Sequence, residues 1–310
     1  MSDPRPPAWN EIKEKGGVLP LLLVLWLYRL FGRCLIQALL YVVVMWYWLL
    51  SPSARQASLD YLQRLHRFAG QQSPFQQMPT WQHSYRHFIV FAEAIVDKMQ
   101  GWLGEISEQR LQIHGHEHLR RHYGQGLIIL VSHFGNIELL RAIKSEHQQK
   151  INVLVYQKHA DKFNAFLRKI SSKSNVSLIS VDELGMETTM ILQDKLDAGE
   201  WVMIAADRVP IHSQRIQMLS FLGQEAPWSQ GAWILANLLK VPVIASFCYR
   251  VQHNFEVHFH PIAECIDLPR KARLPEMAIV TRKYVDLLEW HCIRAPYQWF
   301  NFYQFWNIKK

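Results

Sequence analysis

Leu127-Ile128-Ile129-Leu130-Val131-Ser132-His133-Phe134-Gly135-Asn136-Ile137-Glu138 is the stretch that decides how this chain folds. Five apolar residues without alternation read as a strand covered on both faces, and a glycine-bearing turn followed by a helix start comes next. His133 is therefore expected at the C-terminal edge of a strand. On an unbroken helix, residues five apart are separated by about 140° and do not meet. A turn at Phe134-Gly135 lifts that limit and lets Glu138 swing back toward the imidazole. A carboxylate on one ring nitrogen fixes the tautomer and makes the other nitrogen more basic, so that it takes a proton from a hydroxyl. Such a pair is a general base without a protein nucleophile. Ser132 does not stand in a G-x-S-x-G elbow, so a serine hydrolase fits poorly. On chemistry alone, a structural histidine capping the helix competes with the catalytic reading.

Outward from that stretch, short apolar runs alternate with amphipathic segments. Runs at Ile151 to Tyr156, Val176 to Ile179, Trp201 to Ala206, Val241 to Phe247 and Phe255 to Phe259 are expected strands. Helices are expected at Asn136 to His147, Asp161 to Ser172, Leu184 to Ala198 and Trp228 to Lys240. This alternation predicts an α/β sheet covered by helices, with active residues in the loops after strand ends. Upstream, Ser53 to Ala69 reads as a helix, Gly70 to Pro79 as a Gln/Pro-rich connector, and Phe88, Phe91, Ala92, Ile95 and Met99 as the apolar stripe of a second helix.

The 310 residues suffice for one large domain, and 49% hydrophobic against 19% charged content makes the chain greasy for a freely soluble enzyme. A net charge of +8 favours anionic partners. Nucleic acid is disfavoured, because the aromatics concentrate in apolar segments and not along a basic stripe. Cys34, Cys248, Cys265 and Cys292 lie far apart with no paired spacing, which points to a reducing cytosol. Val18 to Leu50 is almost wholly apolar but is broken by Arg29, Gly32, Arg33 and Gln37. Neither half is a comfortable span, and no cleavage site follows, so a shallow hairpin or tilted anchor on the cytoplasmic leaflet is expected. A buried pair of core helices is the alternative. The expected division is residues 1–50 as tail and membrane anchor, 51–110 as a helical connecting region, and 111–310 as the α/β domain.

The H-x4-E stretch after an apolar strand, in a basic chain with an apolar start, resembles the lysophospholipid acyltransferase superfamily and most closely the lipid A biosynthesis (late) acyltransferase family. Trp201 to Arg208 is similar to that family's second block, Phe221 to Pro227 with Gly231 to its third, and Arg294 to Trp306 to its closing block. The resemblance implies a central mixed sheet covered by helices, with an N-terminal apolar helical membrane anchor. It implies transfer of a fatty acyl chain from acyl carrier protein, or from acyl-CoA, to a hydroxyl of a membrane glycolipid at the cytoplasmic face of the inner membrane. His133 then matches the general base and Glu138 its acidic partner, while Asn136, Asp207, Arg208, Gly223 and Pro227 are implied to bind substrate. Basic side chains would meet headgroup phosphates, the acidic carrier and an anionic membrane surface. Where the family often has Asp-Gln-Asp, this chain has Asp207-Arg208-Val209, and its ending is aromatic where lipid A enzymes are basic. Those departures leave open an aminolipid or polyene-type acceptor, or an inactive lipid- or carrier-binding relative.

His114, His116 and His118 alternate, which would put three rings on one side of an extended strand. Strand alternation accounts for the same pattern, so no metal and no cofactor are expected.

Overall fold

The computed structural model describes residues 36–136, 139, 149–155, 176–180, 185–209 and 215–307. Of the helix expected at 136–147 they include only Asn136 and Leu139; the helix expected at 161–172, the anchor residues before Ile36, and Glu138 lie outside them.

Three helices come first: α1 (Ile36–Leu50), α2 (Pro52–Ala69) and α3 (Trp81–Leu103). Then follow β1 (Leu111–His114), the short α4 (His116–Arg120), β2 (Leu127–Val131), β3 (Ile151–Val155), β4 (Val176–Ser180), α5 (Met186–Asp197) and β5 (Trp201–Ala205). The chain continues through β6 (Ile216–Phe221), β7 (Gln224–Ser229), α6 (Gly231–Leu239), β8 (Val243–Val251), β9 (Asn254–Ala263) and α7 (Arg273–Arg294). Seven strands form one sheet in the order β1-β9-β8-β2-β5-β3-β4, parallel throughout except for the β8/β9 hairpin, so the sheet is mixed.

The unbroken apolar run of β2 has the cause anticipated from its composition: every residue of it is buried. Period-two alternation divides it between the two faces. Ile128 and Leu130 join the large core under α2, α5, α6 and α7, while Leu127, Ile129 and Val131 join the core on the other face with Trp201, Met203, Phe255 and Val257. The pairing of β2 with β5 places Leu127 opposite Trp201 and Val131 opposite Ala205. Two residues beyond each strand end stand His133 and Asp207. Equal register and equal overhang therefore bring these two together, since adjacent strands run about 4.8 Å apart.

The glycine and proline loop expected at Phe221 to Pro227 is instead a β-hairpin. β6 and β7 pair antiparallel with Phe221 opposite Gln224, and Leu222-Gly223 makes the turn with both residues at positive φ. Pro227 is tolerated inside β7 because, among the described residues, this sheet has two strands, so each is an edge. The histidine alternation also breaks. His114 ends β1, Gly115 adopts a left-handed φ of 72°, and His116 and His118 fall on α4.

α1 packs on α3 through Val44 against Phe88 and Ala92, and Trp48 Nε1 donates to Ser84 Oγ at 3.2 Å. Its other side is exposed and apolar, including Val42, Val43, Trp46 and Leu50, the last 76% exposed. Among the described residues no single helix is long and apolar enough to cross a membrane. α1 and the helical run Pro52–Gln72 pass that test only as a pair bent by 96°.

Candidate active site

The backbone N–H of His133 donates to Asp207 Oδ2 at 2.8 Å, and its Nδ1 lies 2.9 Å from Asp207 Oδ1. One carboxylate thus grips both the loop and the ring. The indole N–H of Trp299 donates to the same Oδ2 at 3.0 Å. Asp207 is 2% exposed. Burial alone would raise its pKa, but its interactions with His133, through ring and backbone N–H, and with the Arg208 charge outweigh that and hold the carboxyl below its usual range. An ionised Asp207 places the ring proton on Nδ1, leaving the Nε2 lone pair free of it. Among the described residues no hydrogen bond engages Nε2.

Burial also lowers the pKa of His133, with Arg208 and Lys98 adding to the effect and Asp207 opposing it. The net lowering keeps the imidazole neutral at neutral pH, the state a base requires. Yet 37% of the side chain meets solvent, so a substrate hydroxyl can reach it. Chemically the arrangement is an accessible neutral base with its tautomer fixed by a buried carboxylate.

The loop that carries His133 is stitched on both sides. The His133 carbonyl accepts from Phe300 N at 2.8 Å, Gly135 N donates to Gln298 O at 2.7 Å, and Asn136 N donates to Cys248 O at 2.7 Å. Gly135 has φ 62°, and a Cβ there would stand 2.0 Å from the Cys248 carbonyl oxygen. Gly135→Ala is expected to cost more than about 3 kcal/mol, combining backbone strain with a clash against β8. Urea unfolding of the two proteins measures it, and an unchanged midpoint would remove the close approach from the account.

A second layer supports Trp299. His87 on α3 contacts the Trp299 carbonyl through Nε2 at 3.0 Å and Ser58 Oγ through Nδ1 at 3.0 Å. Burial lowers the His87 pKa to about 3, so it is a neutral structural link. Tyr61 packs its ring 5.0 Å from Trp299 and donates its hydroxyl to Pro296 O at 2.9 Å.

Of the residues expected from sequence, His133, Asp207 and Arg208 come together. Arg208 donates to Phe300 O at 3.4 Å, and its guanidinium lies 5.8 Å over the Tyr303 ring. Asn136 is buried with its amide donating to Ala94 O at 3.4 Å, so it ties the loop to α3. Gly223 is the exposed hairpin tip beside Phe68, and Pro227 is buried in β7 opposite Met218; neither touches His133. The hairpin acts at one remove, through Phe221 packed 5.1 Å from Trp299. On Nδ1 the carboxylate is Asp207; Glu138 lies outside the described residues. Trp299 was legible only as one aromatic among several in Arg294 to Trp306.

A mixed α/β sheet holds a carboxylate-bound histidine where two parallel strands end, an arrangement chemically able to take a proton from a hydroxyl. The chain belongs to the bacterial lipid A biosynthesis acyltransferase family, which it matches over residues 24–307, and it is an acyltransferase. No curated protein matches the chain.

Proposed function

We propose that the chain moves a fatty acyl group from the thioester of acyl carrier protein to a hydroxyl of a lipid A-type glycolipid, working at the cytoplasmic face of the inner membrane. The observation that carries this reading is the neutral His133, its Nδ1 bonded to Asp207 and its Nε2 without a hydrogen bond among the described residues, in a chain of that family. His133 Nε2 takes the proton of the acceptor hydroxyl as the oxygen attacks the thioester carbonyl carbon. The tetrahedral oxyanion forms, the C–S bond breaks, and the leaving thiolate takes the proton back from the imidazolium. Arg208, whose charge already acts on both His133 and Asp207, is the cation for the oxyanion. Glu138 enters the proposal as a second carboxylate, five residues beyond the base.

The direct test incubates the purified chain with labelled acyl carrier protein thioester and a lipid A precursor in anionic vesicles, with mass spectrometry of the lipid. A mass increase of one acyl group is the expected result. Labelled free fatty acid without acylated lipid would overturn the transferase assignment, and acylation of phospholipid in place of the glycolipid would overturn the acceptor.

The exposed side of α1 supports attachment to a lipid surface, since Val43, Trp46 and Leu50 form an apolar stripe beside the buried contact with α3. Val43→Asp with Leu50→Asp is expected to lower co-sedimentation with anionic vesicles at least about tenfold while leaving thermal unfolding unchanged, because both side chains are exposed. Equal sedimentation of variant and parent would exclude this face as the contact.

A further inference from the structure

Histidines that are distant in sequence converge behind the catalytic loop. On β9, strand alternation points Glu256, His258 and His260 to the face that α7 covers, and α7 brings His291 against them. His260 Nε2 lies 3.1 Å from His291 Nε2, and the ring of His291 is 4.9 Å from that of His258 and 5.3 Å from that of His260. One nitrogen from each of the three rings falls within 4.8 Å of the others. We propose that His258, His260 and His291 bind a divalent transition-metal ion, with zinc the representative case, as a structural site that pins α7 to the sheet.

Zinc–imidazole bonds of about 2.0–2.1 Å in a tetrahedral site set neighbouring ligand nitrogens about 3.3 Å apart. The His260–His291 pair already stands near that separation. A metal needs ligands with a free lone pair, and each of the three imidazoles offers one ring nitrogen to the same point. Without a metal His291 is poorly satisfied. His291 is fully buried, its Nδ1 has no hydrogen-bond partner, and its Nε2 faces another imidazole nitrogen. Glu256 Oε2 lies 2.9 Å and the Tyr249 hydroxyl 3.2 Å from His258 Nε2, which leaves Nδ1 as the nitrogen His258 would offer to an ion, while Tyr249 also donates to Glu256 Oε2 at 3.0 Å. Three imidazoles beside one carboxylate select zinc, nickel or copper over magnesium or calcium. The neighbouring cation, Arg294, is half-exposed and 3.9 Å from the Glu256 carboxylate, which partly offsets its charge.

The site is separate from the transfer chemistry but mechanically close to it. Phe134, next in the chain to His133, packs 5.9 Å from His291, 5.3 Å from Tyr249 and 6.1 Å from Phe247. An ion among the three histidines would stiffen the wall against which the catalytic loop rests.

The test uses the untagged full-length chain, stripped with chelator and then titrated with Zn2+ or Co2+. About one ion per chain by elemental analysis is expected, together with the intense visible d–d bands of tetrahedral Co2+ and a rise of several degrees in Tm with Zn2+. His260→Gln, which alters the partly exposed member of the three, should lose the cobalt bands and the Tm rise. His118→Gln on α4 should keep both. Should His260→Gln fail to fold, the cobalt spectrum of the parent chain decides alone. The proposal is overturned if Tm and spectrum of the parent do not respond to metal, or if His260→Gln binds as the parent does. None of these readouts depends on acyl transfer, so the metal site and the transferase reading can fail separately.

Discussion

Replacing His133 by alanine is expected to reduce acyl transfer by about 10²–10⁴-fold, the usual contribution of a positioned general base. The loss should appear in single-turnover experiments with saturating acyl carrier protein thioester, which isolate the chemical step from product release. The fold should survive. The imidazole is more than a third exposed, and Asp207 keeps the backbone N–H of residue 133 and the indole N–H of Trp299 as donors. Removing the ring still takes one hydrogen bond from a buried carboxylate, so a stability loss of about 1–3 kcal/mol is expected beside the catalytic one. Retention of more than a tenth of the parent rate, in a variant that unfolds cooperatively, would show that another group takes the proton.

The sequence discloses the parts of this protein governed by local pattern. Leu127 to Val131 announces a central strand because a strand covered on both faces favours apolar residues at every position, and Trp201 to Ile204 announces its neighbour in the same way. What local pattern does not hold is register. His133 and Asp207 are 74 residues apart, and their meeting follows only from the pairing of Val131 with Ala205, which equalises their overhang. The acid five positions after His133 is visible in a line of text; the acid across the sheet is not. Trp299 was obscured for a different reason. The stretch Tyr297 to Trp306 has no period to separate a core aromatic from a site aromatic, and the feature that sets Trp299 apart is the direction of one N–H bond. The hairpin at Phe221 to Gln224 was hidden because a proline and a glycine read as loop, whereas an isolated two-stranded sheet accommodates both. In the histidine cluster, the visible alternation of His114, His116 and His118 misled because Gly115 turns the chain out of the strand. The rings that do converge come from β9 and α7.

Asp207→Asn tests the cross-sheet pairing by the geometry of the amide. Oδ2 receives two N–H donors, from His133 and Trp299, while Oδ1 faces Nδ1. An asparagine has one acceptor oxygen, and placing it at the two-donor position points its NH₂ at the imidazole. Nδ1 must then accept, the ring proton moves to Nε2, and the nitrogen that faces the substrate can no longer serve as a base. A loss of about 10³–10⁴-fold in kcat is expected from a wrong tautomer of this kind, with KM for the acyl donor changing far less. The pH profile supplies a second readout. Burial and Arg208 lower the His133 pKa while the Asp207 charge raises it. The parent's acid limb should therefore lie below the ordinary histidine value of about 6.5, and removing the Asp207 charge should move it lower still. Glu138→Gln is the comparison. If Glu138 acts elsewhere in the site, its loss lowers the rate without moving that limb; if it is the partner on Nδ1, its loss moves the limb and Asp207→Asn leaves it in place, and the assignment of Asp207 falls.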